Sequence, residues 1–208
     1  MAQAARELVQ SNPYLPEPLD AVAVRLEQAT PQETLEWALG EFGDRITIAT
    51  GFGTEGVALI DIAVKAASRI GIDLNVFFLD TGFLFPETYR LREQIETRYG
   101  VRIRAFSTAL TPELQSKAYG PELWARDPDL CCRLRKVEPL KDALAGLDAW
   151  MTAIRRDQTP ARAGAGVVEW DTRYQLVKVN PLARWSKRDV WDYVMRNHIP
   201  YNPLSDLG

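Results

Sequence analysis

Two cysteines stand side by side at Cys131-Cys132, and the basic residues Arg133, Arg135 and Lys136 follow directly. They are the only cysteines in 208 residues, which excludes a secreted disulfide framework. A bridge between sequence neighbours would close a small, strained ring. In isolation, one of such a pair packs inward as a small apolar residue. At a predicted helix start beside cationic side chains, a thiol is instead biased toward thiolate, the form that ligates iron or attacks a sulfur centre. Two thiolates do not complete a four-thiolate iron–sulfur site. A second cluster is made of arginines: Arg155-Arg156-Asp157-Gln158 follows an apolar run, and Arg162 lies in the Gly- and Ala-rich loop beyond. In a chain of net charge -3, such a local cluster favours bidentate recognition of phosphate or sulfate; a solvated charged face is the simpler alternative. His198, the only histidine, precedes Ile199-Pro200 and is read as structural; with one histidine and scattered serines, no clear Ser/His/Asp triad stands out.

The elements that must position these groups follow from periodicity. Arg45 to Ala49 reads as a strand, Thr50-Gly51-Phe52-Gly53-Thr54-Glu55-Gly56 as a loop, and Leu59, Ile60, Ile62, Ala63 and Ala66 as the apolar side of a helix. The rhythm repeats with a strand over Leu74–Leu79, a turn at Asp80-Thr81-Gly82, a helix over Pro86–Tyr99 closed by Gly100, and a strand over Val101–Phe106. Cys132–Leu147 is predicted helical and Ala149–Ile154 a strand. Val167–Asp171 and Tyr174–Val179 are read as strands flanking a turn at Asp171-Thr172-Arg173. Thr30, Pro31 and Glu33 form a capping-box start for a helix that reaches Phe42 and stops at Gly43; Ser186 starts the last helix, which runs to Arg196. Residues 1–30 read as an N-terminal arm, Pro-spaced over Asn12–Pro18, and a helix; residues 31–208 read as the main domain.

Strands alternating with helices predict an α/β fold with a doubly wound, mostly parallel sheet. Ligands then bind beyond the carboxyl ends of the strands. The Thr50–Gly56 loop opens a helix whose N–H groups could cradle phosphate or sulfate, although glycines there also serve the turn alone. It lacks both the P-loop Gly-Lys-Ser/Thr and the dinucleotide fingerprint. The Asp80 loop is partly a helix entry through Pro86 and Glu87, with Phe83 and Phe85 free to pack. That role leaves the polar Asp80-Thr81-Gly82 unexplained. With 46% hydrophobic and 25% charged residues the chain can build a core. Its charge balance disfavours duplex nucleic acid, and its apolar runs fall far short of the roughly 20 residues a bilayer demands. The expectation is a soluble, cytoplasmic protein with no nucleic-acid or membrane partner.

The segment Trp124-Ala125-Arg126-Asp127-Pro128-Asp129-Leu130-Cys131-Cys132-Arg133-Leu134-Arg135-Lys136-Val137-Glu138-Pro139-Leu140 resembles the cluster-binding segment of assimilatory adenylyl-sulfate (APS) reductases. Leu79-Asp80-Thr81-Gly82-Phe83-Leu84-Phe85-Pro86-Glu87-Thr88-Tyr89 resembles that family's substrate loop, and Arg155-Arg156-Asp157-Gln158 its arginine loop. The match runs from about Ala38 to Gly208 and includes Asn180-Pro181-Leu182, Trp185 and Asp189-Val190-Trp191. The resemblance implies an adenine nucleotide α-hydrolase-like, PP-loop-related fold. It implies reduction of APS to sulfite and AMP with thioredoxin as donor, and a homo-oligomer. It makes Cys131 and Cys132 two of four ligands of a [4Fe-4S] cluster, with Lys136 between cluster and substrate. It places Thr50, Gly51, Phe52, Gly53, Thr54, Glu55, Leu79, Asp80, Thr81, Gly82, Arg155, Arg156 and Arg162 around the nucleotide.

The family's second cysteine pair and its tail nucleophile would follow beyond the segment at Asn202-Pro203-Leu204, whereas the sequence ends at Gly208. Either the sequence is truncated before both, or the protein lacks half of the cluster ligands and the nucleophile; these 208 residues alone are expected to carry no catalytic residue and to bind nucleotide without reducing it. Pro160-Ala161-Arg162-Ala163 and the serine-poor glycine loop also depart from the family pattern. The alternatives are a reductase accepting PAPS, a PP-loop ATP-using adenylyltransferase or pyrophosphatase, and a non-catalytic nucleotide-binding module.

Overall fold

The computed structural model describes residues 17–206; most of the predicted N-terminal arm lies outside the described residues. Helix α1 (Leu19–Leu26) is followed by α2 (Pro31–Phe42), whose start carries the complete Thr30/Glu33 capping box. Then come β1 (Ile46–Thr50), α3 (Thr54–Ile70), β2 (Val76–Leu79), α4 (Pro86–Tyr99) and β3 (Ile103–Phe106). Strands β2 and β3 each begin two residues later than predicted, and β1 is shifted by one residue. Gly100, at φ 65, closes α4 in the left-handed conformation that glycine tolerates.

Three short helices, α5 (Pro112–Tyr119), α6 (Leu123–Arg126) and α7 (Pro128–Cys132), precede a π-helical turn over Arg133–Val137 and α8 (Glu138–Leu144). The helix expected over Cys132–Leu147 is present with different bounds: helical backbone runs without a break from Pro128 to Leu144, with the π-helical turn inside it. Asp127 caps this run, which already begins at Pro128, so the cysteines come directly after its first turn. Strands β4 (Ala149–Met151), β5 (Val168–Asp171) and β6 (Leu176–Val179) follow, and α9 (Lys187–Arg196) starts at the Ser186/Asp189 capping box.

The sheet order is β3-β2-β1-β4-β6-β5, parallel except for the β5–β6 pair. Successive crossovers leave β1 toward β2 and then return to β4 on its other side, so the switch point falls between β1 and β4. Alternation divides the strands between two faces. Ile46, Ile48, Val76, Phe78, Met151, Val177 and Val179 share one core with α1, α2, α3 and α9. Phe77, Trp150 and Leu176 face the other way, packed on Ala143 and Leu144 around α8. Only one helix covers much of that second face, which leaves room at its carboxyl edge. Among the described residues no helix is long and apolar enough to cross a membrane.

Candidate functional site

Three cavities lie along the carboxyl edge. The central one, about 360 Å³, has Ala49, Phe77, Leu79 and Trp150 as apolar floor and Thr50, Gly51, Thr81 and Lys136 among its polar lining. Register explains the space: Ala49 pairs with Phe77, and its single methyl group leaves a slot on the sheet face. A flat, apolar slot with polar groups at one end suits a heteroaromatic base carrying a charged tail.

The glycine loop shapes that end. Phe52, at φ 58, donates its N–H to Thr50 Oγ1 at 3.1 Å. Its ring is buried against Phe78, with centroids 5.4 Å apart, so the side chain belongs to the core and only its backbone remains near the site. Helix α3 begins after Gly53 without a side-chain cap, so its first N–H groups and the positive end of a 17-residue helix are available to an anion. Glu55, in that first turn, is answered by Arg155, whose Nε lies 3.1 Å from Glu55 Oε1 as a charge contact without hydrogen-bond alignment.

The arginines separate into different roles. Arg155 is buried at 4% exposure and also pairs with Asp157 at 3.0 Å; it lines none of the three cavities. Arg156 points to α1 instead: its fork meets Glu27 at 2.6 and 2.9 Å, and its Nε donates to the Ala165 carbonyl. The hydrogen bond from Arg156 holds the Glu27 carboxyl below its ordinary range. Arg162 alone of the three faces a cavity, of about 570 Å³, shared with Trp150, Thr152, Glu169 and Lys178. Its guanidinium donates to Gln158.

Buried Asn180 pins this loop by donating to the Gly166 carbonyl at 2.8 Å and to Glu169 at 3.1 Å, while accepting from Thr152 Oγ1 at 2.6 Å. The sequence reading missed Trp150, Thr152, Glu169 and Lys178. Trp150 and Lys178 are register partners on neighbouring strands, and the lysine Nζ lies 5.7 Å from the indole. Alternation along β6 was the signal, because it turns Lys178 away from the face of Val177 and Val179.

The Asp80 loop forms the other wall. Asp80 Oδ1 accepts from the Gly82 N–H at 2.9 Å and from the Tyr89 hydroxyl at 2.8 Å. Burial first, then the bond to Asp80, raises the Tyr89 hydroxyl above the usual phenol range. Thr81 and Lys136 also line the third cavity, about 650 Å³, with Cys131, Cys132, Phe83, Trp124 and Arg135. Cys131 is buried and Cys132 exposed. Among the described residues Lys136 has no hydrogen-bond or ion-pair partner. The cysteines offer two thiol donors beside a cavity with cationic lining, which fits half of the four-thiolate set of an iron–sulfur cluster.

The open, mostly parallel sheet carries a slot and an uncapped helix terminus at its carboxyl edge, and its fold is adenine nucleotide α-hydrolase-like and PP-loop-related, as the structural likenesses below bear out. Residues 45–208 match the phosphoadenosine phosphosulfate reductase domain, and the chain belongs to that family. It is 44% identical over 175 residues to adenosine 5'-phosphosulfate reductase 1 of Bacillus subtilis, covering 84% of this chain and 73% of the relative. The phosphate complex of the phosphoadenylyl-sulfate (PAPS) reductase of Candida auris superposes with a TM-score of 0.81 at 30% identity, covering 93% of this chain and 92% of that one. The FMN adenylyltransferase of Candida glabrata shares the fold alone, with a TM-score of 0.62 at 14% identity over 89% of this chain and 60% of that one.

Proposed function

We propose that this chain provides the nucleotide-binding body of an enzyme that reduces adenylyl sulfate to sulfite and AMP, with thioredoxin as reductant. The observation that carries this reading is the shared wall. Thr81 and Lys136 line both the base-sized slot and the cysteine cavity, so a nucleotide in one is next to whatever the cysteines hold in the other. Adenine occupies the slot over Ala49, Phe77, Leu79 and Trp150. The phosphosulfate lies toward the α3 terminus, where its charge meets backbone N–H groups, Lys136, and Arg162 with Lys178. Arg155 keeps Glu55 from repelling that charge, and Arg156 holds the loop to α1.

Attack by a thiolate from outside the described residues forms a sulfur–sulfur bond to the sulfate sulfur and breaks its bond to the phosphate oxygen. AMP departs with that electron pair. The donors at the α3 terminus stabilise the phosphate oxygens as they gain charge. Thioredoxin dithiol then displaces sulfite and is oxidised to its disulfide. Cys131 and Cys132 would hold two corners of a [4Fe-4S] cluster, whose bound charge would act on the nucleotide across Lys136. The reliance on reduced thiols supports a cytoplasmic setting.

The test is anaerobic purification of the full natural gene product, with iron and acid-labile sulfide assays and thioredoxin-dependent sulfite release from APS. About four irons per chain and sulfite release are expected. Pyrophosphate release from ATP, with no sulfite from APS, would overturn the reading. The Arg162–Lys178 cavity favours a second reading, acceptance of PAPS, because it could take an additional phosphate. Competing the two substrates in one reaction decides between them.

A further inference from the structure

Gln115 is 3% exposed on α5, touches none of the three cavities, and has no role in the reading above. Its side-chain oxygen accepts from Arg135 Nε at 2.7 Å. The same guanidinium donates through Nη1 to the Thr81 carbonyl at 2.6 Å and through Nη2 to the Leu110 carbonyl at 3.1 Å, and it lies 4.6 Å from the centre of the Phe83 ring. Gly82, at φ 71, permits this approach: a Cβ there would stand 3.2 Å from Pro112 and 3.3 Å from Arg135 Nη1.

All of these acceptors are neutral, and among the described residues no carboxylate lies within ion-pair distance of Arg135; Glu113, on the same helix as Gln115, meets its charge only from farther off. A buried guanidinium is ordinarily matched by a carboxylate. Here a glutamine supplies the geometry of a glutamate without its charge. The cation so held borders the cysteine cavity and grips the turn that separates it from the nucleotide slot.

We propose that Gln115 is a positioning residue that fixes Arg135 against the Thr81–Gly82 turn without placing a carboxylate in contact with it, so that the shared wall of the two cavities attracts an anionic occupant. This rests on the nucleotide reading for the identity of the occupant, but not for the strut. The positive field acts on the phosphate of the nucleotide and not on its base. A buried charge at 115 of opposite sign would cancel that field and keep the hydrogen bond.

The variants Gln115→Glu and Gln115→Leu in the full-length protein separate geometry from charge. Two readouts apply: amide hydrogen exchange at Gly82 and Phe83 without nucleotide, and affinity for AMP against uncharged adenosine. Gln115→Glu should keep wild-type amide protection and adenosine affinity but bind AMP on the order of tenfold more weakly, the size of one screened charge–charge interaction. Gln115→Leu should lose protection at both amides. AMP affinity unchanged in Gln115→Glu overturns the charge role, and wild-type protection in Gln115→Leu overturns the strut. Should the wild type bind neither AMP nor adenosine, the nucleotide reading falls, and the amide measurement still decides whether Gln115 holds the turn.

Discussion

Thr81 and Lys136 come from segments more than fifty positions apart in sequence and stand on one wall between two cavities. Thr81 is fixed through its backbone by Arg135, whereas Lys136 has no partner among the described residues and can turn its charge to either side. Replacing Lys136 with methionine keeps the length and removes the charge. AMP affinity should fall about tenfold or more, the range of a lost charge-assisted contact. Sulfite release from APS should fall further, because charge grows on the departing phosphate. Equal losses in binding and turnover would show that the lysine only binds.

Gly56 packs the first turn of α3 against β1, where a Cβ would stand 2.7 Å from Thr50 Oγ1. That oxygen also accepts the Phe52 N–H that shapes the glycine loop. Gly56→Ala should therefore destabilise the protein by about 1–3 kcal/mol, as overpacking does, and weaken AMP binding at temperatures where the fold is intact. Urea unfolding and AMP titration measure the two effects. An unchanged unfolding midpoint would refute the close packing.

Trp150 borders both the base-sized slot and the Arg162 cavity, stacked edge-on against Tyr174 at 5.8 Å. A base placed in the slot should change its emission. AMP titration should quench part of the intrinsic fluorescence in the wild type, and the same titration of Trp150→Phe should lose most of that change while still showing binding by calorimetry. A full signal in the variant would place the base elsewhere.

What the sequence made legible, and what it hid, divides by the range of the forces involved. Capping boxes at Thr30 and Ser186, the proline start of α4 and its glycine stop are set by neighbours within a turn, so they could be read directly. Helix α5 carried the same kind of signal in Thr111 and Pro112, and Thr111 does cap it by accepting from the Leu114 N–H; it was missed because the apolar pattern behind it is short. The fates of the basic residues were hidden. Arg135, Arg155 and Arg156 are alike in composition and local setting, yet one holds the Thr81 turn, one answers Glu55 and one reaches Glu27, 129 positions away in sequence. Only tertiary contacts distinguish an arginine facing a cavity from one supporting its wall.

On the far side of the sheet, Asp61 is 2% exposed and accepts from the hydroxyls of Tyr99 at 2.9 Å and Tyr193 at 2.6 Å, joining α3 to α4 and α9. Lys65 completes its ion pair at 2.6 Å. Asp61→Ala should cost about 3 kcal/mol by stranding these partners, read as a lower unfolding midpoint in urea.

The same network makes a pH prediction. Burial foremost, then the bond to Asp61, raises both phenols well above the ordinary tyrosine range. The folded values lie above the unfolded value of about 10, so this stabilisation is complete below pH about 10 and is lost as pH rises from there toward the folded values. The double variant Tyr99→Phe/Tyr193→Phe should be less stable at pH 8 and lose less stability than wild type between pH 9.5 and 11, on the order of the two-proton difference. Parallel losses in the two proteins would contradict it.

Helix α1 lies along β5, the outermost strand on that side of the sheet, and its Glu27 takes the fork of Arg156. A recombinant fragment begun at Pro31, where the strongest helix-start signal in the sequence stands, would therefore be a poor choice. It would uncover the apolar groups that Leu19, Val22 and Leu26 bury beside β5, a patch open to association with another molecule. It would also release Arg156 from its carboxylate and loosen the loop that presents Arg162. The eight residues of α1 thus act as a solubility device as well as a brace, and the smallest fragment worth expressing starts before Leu19.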